Sequence, residues 1–412
     1  MIQTIQISDH AHDQFVKTHP HGDMCQLTSW GRVKQAFGWQ WSRVSVGEKN
    51  QIRGVASLLY KKVPLINKTI CYISRGFVVD WFDEASVQAL LKAVKDDAKK
   101  HDAFLIKIDP DLPEDTPNLL HQIESFGFKH QGFTFGFKEA AQPRFHMVTD
   151  LGKSEKDLLN SLQGLTRTNI RRASKYGFTL EEAPVTKMDI FHELMKETGE
   201  RDDFLIRDIS YFKQIYHEMQ PKGEAKLFLV KLNPEAAIKG LDANDKNRRK
   251  EIKSLKKKDS TPEYNQQIKQ LEEALENAAH QKETIKQIAQ EHPEGFYLSG
   301  AIFVQSGSKA YYLYGASSNQ LRDLLPNDFM VWEMMRYAQK QGCLSFDFGG
   351  VSGLEGKPED DAPGLYIFKK RWSAVKRARI GEFDYELSHL LSNLYRQAFK
   401  LRQKLLGWRK NK

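Results

Sequence analysis

Residues 262–291, PEYNQQIKQLEEALENAAHQKETIKQIAQE, decide how the chain is divided. Tyr264, Ile268, Leu271, Leu275, Ala278, Lys282, Ile285 and Ala289 recur at alternating steps of four and three, the period of a helical seam that faces a second helix. A partner lies just upstream, where Ile238, Leu241, Ile252 and Leu255 keep compatible spacing and Asp259 to Pro262 supplies a turn. Residues 234–293 therefore predict an antiparallel coiled-coil hairpin standing off a globular body. Each arm would be on the order of 35 Å long at 1.5 Å rise per residue.

On both sides of this insertion the pattern is α/β. Residues 1–145 read as strands at Thr4–Ile7, Trp41–Val46, Val55–Lys62, Ile70–Ser74, Ala103–Ile108 and the Gly-punctuated Phe133–Phe137, with helices at Trp30–Phe37, Ser86–His101 and Asn118–Phe126. Residues 146–233 and 294–387 form a second, discontinuous unit of similar order. It has strands at His146–Asp150, Ala225–Lys231, Gly295–Gln305, Ala310–Gly315 and Leu344–Asp347, and helices at Glu155–Tyr176, Met188–Thr198 and Asn327–Gln341. The fold class is α/β (α+β), and the similar order of the halves suggests duplication. The tail, 388–412, carries Leu391, Leu394, Ala398, Leu401 and Leu405 at helical spacing and is expected to pack on the first unit.

Composition narrows the function classes. With 24 Phe, 14 Tyr and 7 Trp in 412 residues, wholesale disorder is excluded. Cys25, Cys71 and Cys343 are odd in number and far apart, which excludes a disulfide scaffold or a Cys-rich zinc site and suits a reducing cytoplasm. The start MIQTIQISDHAHDQF lacks a basic segment followed by an apolar one, and no uncharged apolar run of about 18 residues exists, so neither export nor a membrane span is expected. A net charge of +9 favours polyanionic partners. That charge is local: Tyr366–Arg379 has six basic and no acidic residues and Asn393–Lys412 seven and none, so the rest of the chain is net acidic.

Several stretches could carry chemistry. Lys246–Lys258 on the hairpin, KNRRKEIKSLKKK, including Arg248, Arg249 and Lys250, reads either as a solvated helix face or as a contact for RNA phosphates. LTRTNIRRASKYGF sets Arg167, Arg171 and Lys175 along one helix face, with the same two readings. Three places join cations to aromatics, a combination that suits an anionic group attached to a ring. They are Lys34 one turn beyond Trp30, Arg207 four residues before Tyr211, and GLYIFKKRW, which holds Phe368 and Lys369. His10, His12, His19 and His21 read better as a polar loop than as a metal site, and no metal is expected. No nucleophile elbow, Walker A or dinucleotide fingerprint is present.

In order and spacing, SWGRVK, IKIDP, LTRTNIRRASKYGF, FLIRDISYFKQIY, YYLYGASS and GLYIFKKRW resemble the FemABX family, bacterial aminoacyl-tRNA-dependent transferases that build the peptide cross-bridge of peptidoglycan. The resemblance covers essentially the whole chain and implies two tandem GNAT-like acyltransferase units, with an arm like that of the FemA-type members. It implies transfer of an amino acid, Gly, Ala or Ser, from aminoacyl-tRNA to a stem-peptide amine, on lipid II or UDP-MurNAc-pentapeptide, with no cofactor besides that co-substrate.

Carried over by position, the family pattern puts Lys34, Arg207 and Tyr211 at the phosphate and sugar of the cell-wall precursor, Asp109 and Tyr314 along the peptide channel, and Phe368 and Lys369 beside the reacting ester. Lys369 would bring positive charge to the oxyanion or a nearby phosphate, and Asp109 would orient or deprotonate the amine or simply end its strand as an Asp-Pro turn. Arg167, Arg171, Lys175, Arg248, Arg249 and Lys250 are the tRNA candidates. A cytoplasmic monomer or weak homodimer is expected, and the basic tail adds a second reading, contact with the anionic inner face of the membrane. The competing classes are an acyl-CoA-dependent N-acyltransferase, which the missing R/Q-x-x-G-x-G/A loop disfavours, and a non-catalytic RNA- or ribosome-associated protein using the arm.

Overall fold

A computed structural model describes residues 1–49, 51–64, 66–137, 140–292, 295–360 and 362–398. The first unit runs β1 (Gln3–Thr4), α1 (Asp9–Thr18), α2 (Thr28–Ala36), β2 (Gln40–Glu48), β3 (Gln51–Lys62), β4 (Thr69–Ile73), β5 (Val78–Val79), α3 (Glu84–Lys100), β6 (Ala103–Ile108), α4 (Leu119–Ser125) and β7 (Lys129–His130). The second runs β8 (Phe145–Asp150), α5 (Glu155–Ser161), α6 (Gly164–Ala173), β9 (Phe178–Ala183), α7 (Met188–Asp202), α8 (Ile209–Met219) and β10 (Ala225–Leu232). The arm follows as α9 (Pro234–Leu255) and α10 (Pro262–Glu291). The unit then resumes with β11 (Phe296–Ser306), β12 (Lys309–Ser317), α11 (Pro326–Lys340), β13 (Ser345–Val351), α12 (Pro363–Lys370) and β14 (Val375–Ala378), and β15 (Phe383–Glu386) comes last.

The two sheets repeat one plan. The first has the order β1-β2-β3-β4-β6-β15-β7, with β5 beside β3, and the second β14-β8-β13-β12-β11-β10-β9. In each, a run of antiparallel strands meets one parallel pair, β4 with β6 and β12 with β13. This is the tandem α/β fold that the resemblance implied. The boundary at 387 needs correction, because Phe383–Glu386 pairs with Ile108–Leu105 in the first sheet. The chain leaves the second sheet after β14 and returns to complete the first, so the units are interlocked. Residues 389–398 continue as a helix against that same sheet, with Ser392 buried and its hydroxyl 3.3 Å from Phe104 O. Leu401 and Leu405 of the tail lie outside the described residues.

The arm forms as its seam predicts. Ala278, Ile285 and Ile288 of α10 and Ala237, Leu241, Ile252 and Leu255 of α9 are buried. Lys282, a seam position, reaches Asp242 and Asp245 on α9, both at 2.8 Å. The 30 residues of α10 span about 45 Å at 1.5 Å each, more than the length expected.

Three further elements differ from expectation. The His-rich start is a helix, α1, capped by the Ser8 hydroxyl on Ala11 N at 3.1 Å, and His12 on its inner face is fully buried. Phe133–Phe137 is not a strand: Gly132 and Gly136 adopt φ of +85° and +70°, and the Phe133 and Phe135 rings stack on the buried Arg144 guanidinium instead. The helix expected over Glu155–Tyr176 breaks at Leu162, where the chain is extended. Arg167 folds back there to donate to Asn160 O at 3.1 Å and to Leu162 O, so it ties the break together and leaves the expected cation ladder.

A hydrophobic core joins the two units. Val16, Trp30 and Val33 of the first pack with Phe191, Phe212 and Ile215 of α7 and α8 and with Leu229 and Ile302 of the second sheet. Polar bonds cross the same seam, Ser29 Oγ and Lys17 Nζ both reaching the buried Glu224, at 2.5 and 2.8 Å.

Candidate active site

The seam between the units gathers four residues that the resemblance assigned to the cell-wall precursor, Lys34, Arg207, Tyr211 and Tyr314. Lys34 on α2 donates to the Tyr211 hydroxyl on α8 at 2.8 Å and lies 4.4 Å from the Trp30 ring centroid. Arg207, just before α8, also lies over the Tyr211 ring, its guanidinium 5.3 Å from the centroid. Burial pushes the Lys34 pKa down and the Tyr211 pKa up. Among the described residues neither Lys34 nor Arg207 has a carboxylate partner, so two cations face one place without local neutralisation.

Tyr314 completes the group because of a bulge. Ile302 pairs with Tyr314 but Phe303 pairs with Tyr312, so Leu313 is an extra residue in β12. The extra residue turns Tyr312 and Tyr314 to opposite faces. Tyr312 packs against Phe348 in the second unit's own core, while Tyr314 stands edge-on to Tyr211 and Phe212 at 6.3 and 5.2 Å. Burial raises the Tyr314 pKa, which keeps it a neutral hydrogen-bonding group.

Lys369 sits where β12 and β13 part. Their parallel pairing ends at Tyr311 and Asp347, although both strands run on. Lys369, on α12, is 5% exposed and its Nζ donates to Gly350 O at 2.6 Å. Burial lowers its pKa to about 8, against the attraction of Asp347. Phe368 meets Phe348 edge-on and is covered by Arg371, 5.0 Å from its ring, itself held by Asp328 at 3.1 Å.

Asp109 is placed differently from a free base. It follows β6, is 5% exposed, and accepts from Tyr72 Oη at 3.0 Å, from Arg75 N at 2.8 Å and from Arg75 Nη1 at 3.1 Å. Burial raises its pKa to about 6, opposed by Arg75. Arg75 then passes to His146, and His146 to Asp347. Arg75, His146 and Asp347 were missed by sequence reading; the one available signal was FDFGG, an Asp two residues before a glycine pair inside an apolar strand. A cleft of about 810 Å³ opens beside them, lined by both units, including His21, Asp111, His146, Lys309, Asp347 and Arg379.

The nucleic-acid candidates divide. Arg171, Lys175, Arg249 and Lys250 are exposed, whereas Arg248 bridges the arm helices, donating to Asp245 at 3.1 Å and to Ala274 O at 3.2 Å. Arg248, like Arg167, therefore has a structural task that the sequence reading did not foresee. No group of three or more metal-ligating side chains converges among the described residues, and no helix there is long and apolar enough to cross a membrane.

The sequence model of the FemAB family matches residues 7–400. Lipid II:glycine glycyltransferase of Staphylococcus aureus strain USA300 is 43% identical over 407 residues, 96% of each chain, and the protein of that name from strain N315 matches equally. The crystal structure of FemX overlies 95% of this chain and 99% of its own, with a TM-score of 0.82 at 42% identity. The chain belongs to the FemAB family and is a transferase.

Proposed function

We propose that the protein transfers an aminoacyl group, glycine first among Gly, Ala and Ser, from aminoacyl-tRNA to the stem-peptide amine of lipid II at the cytoplasmic face of the membrane. The supporting observation is the Lys34–Tyr211–Arg207–Tyr314 group, two cations without carboxylate partners beside stacked rings, in a chain 43% identical to a lipid II:glycine glycyltransferase. Lys34 and Arg207 take the pyrophosphate of the acceptor, and Tyr211 and Tyr314 its sugar and peptide.

The attacking amine adds to the ester carbonyl of the aminoacyl-tRNA. A tetrahedral oxyanion forms, collapses to the amide and expels the ribose hydroxyl, while the amine gives up its proton. The ester is already activated, so positioning and charge stabilisation are sufficient without a covalent enzyme intermediate. The Lys369 ammonium faces the developing negative charge, with Phe368 beside the ester. Asp109 serves as the counter-ion that fixes Arg75, since its carboxylate oxygens are engaged with Tyr72 and Arg75. Arg171, Lys175, Arg249 and Lys250, all exposed, are the tRNA contacts.

A transfer assay offering lipid II and UDP-MurNAc-pentapeptide in turn, with tRNA charged with Gly, Ala or Ser, tests this. Glycyl transfer to lipid II is expected. Transfer from acyl-CoA alone, or RNA binding without transfer, overturns it.

A further inference from the structure

His146 on β8 and Asp347 on β13 lie under the turn that holds Lys369, and the reaction as proposed gives them no task. His146 Nε2 is 3.0 Å from Arg75 Nη2 and His146 Nδ1 is 2.9 Å from Asp347 Oδ2. A guanidinium can only donate, so Nε2 accepts, and the single ring proton is on Nδ1, donated to Asp347. Burial keeps the ring neutral by lowering its pKa to about 4. The tautomer is thereby set from the first unit, which supplies Arg75, and it aims the Asp347 carboxylate.

Asp347 in turn holds the backbone. Its Oδ1 accepts from Gly349 N at 2.6 Å, and Arg379 Nη2 is 3.9 Å from its Oδ2. Gly349 adopts φ +79°, and the register of β13 with β8 shifts here, so that Gly350 stands opposite His146. The carbonyl of Gly350 is the group that accepts from Lys369 Nζ. A side chain at Gly349 would meet strain, and a Cβ on Gly350 would stand 2.4 Å from the Pro143 ring, so the turn has little freedom apart from the bond to Asp347.

We propose that Asp347, aimed by His146, is a positioning residue for Lys369: it closes the Gly349–Gly350 turn whose carbonyl directs the ammonium, and it supplies the facing negative charge. This rests on the assignment of Lys369 to the developing oxyanion. In the transfer assay, Asp347→Asn is expected to lower kcat about tenfold or more, by analogy with the outer partners that orient metal ligands. KM for both substrates should stay within about threefold, because no binding group moves.

The decisive measurement is a double-mutant cycle with Lys369→Met. If Asp347 acts through Lys369, adding Asp347→Asn to Lys369→Met lowers kcat no further. His146→Leu should reproduce the Asp347→Asn loss, and His146→Asn, whose amide can still donate to Asp347, should restore part of it. Should Asp347→Asn fail to fold, these His146 variants probe the same link, and an unchanged kcat in His146→Leu then overturns the inference. An unchanged kcat in folded Asp347→Asn, or losses that multiply in the double variant, overturns it equally. Wild-type kcat in Lys369→Met alone would instead remove the assignment of Lys369, an outcome read from a different protein.

Discussion

Replacing Lys369 with Met should make the fold more stable while it sharply lowers transfer. The wild-type side chain is 5% exposed and has one hydrogen bond, to Gly350 O at 2.6 Å. Burial lowers its pKa from an ordinary 10.5 to about 8. Below pH 8 both folded and unfolded states hold the proton, and the buried charge weighs against folding by about 3 kcal/mol. Between the two pKa values the unfolded chain binds more protons than the folded one, so this burden falls as pH rises, and above 10.5 it is gone. Met has no proton to lose. It leaves the Gly350 carbonyl unpaired, at about 1 kcal/mol, a cost that does not change with pH. Lys369→Met is therefore expected to be about 2 kcal/mol more stable than wild type at pH 7, and that advantage should shrink by about 2 kcal/mol by pH 9.5. Paired urea denaturation curves at pH 7, 8 and 9.5 measure the difference, in which other titrations cancel. A variant less stable than wild type at pH 7, or a difference flat across the series, refutes the reasoning. Transfer should fall about 100-fold or more in the same variant.

Lys34→Met and Arg207→Met should each raise the lipid II KM by about tenfold and leave kcat within about threefold, since a charge-assisted contact is lost from binding alone; steady-state kinetics with varied acceptor decides. Arg167→Ala should cost about 1 kcal/mol of stability in urea, by freeing the carbonyls of Asn160 and Leu162, with the salt dependence of tRNA binding unchanged. Arg249→Gln with Lys250→Gln should do the reverse, reducing the slope of log K against log salt by about 2 at unaltered stability. Gly349→Ala, forced to φ +79°, should lose about 1 kcal/mol or more and lower kcat through the Lys369 turn.

What could be read from the sequence follows from how local each signal is. The arm was legible because a largely apolar seam keeps one period along the 30 residues of α10, and Lys34, Arg207 and Phe368–Lys369 because cation and aromatic lie within one helical turn. The swap of β15 into the first sheet was not legible, since FDYE reads as a strand wherever it pairs. Nor was the Arg75–His146–Asp347 chain: His146 and Asp347 are 201 residues apart and meet only when β8 pairs with β13, and Arg75, 71 residues before His146, reaches it only across the two units. Tyr314 shows the limit most clearly. Strict alternation along β12 would put Tyr312 and Tyr314 on one face, both in the second unit's core. One unpaired residue, Leu313, reverses that and delivers Tyr314 to Tyr211 across the seam. A strand pattern carries the core, and a departure from it carries the site, because only an irregular step can aim a polar group out of a face that packing has already claimed.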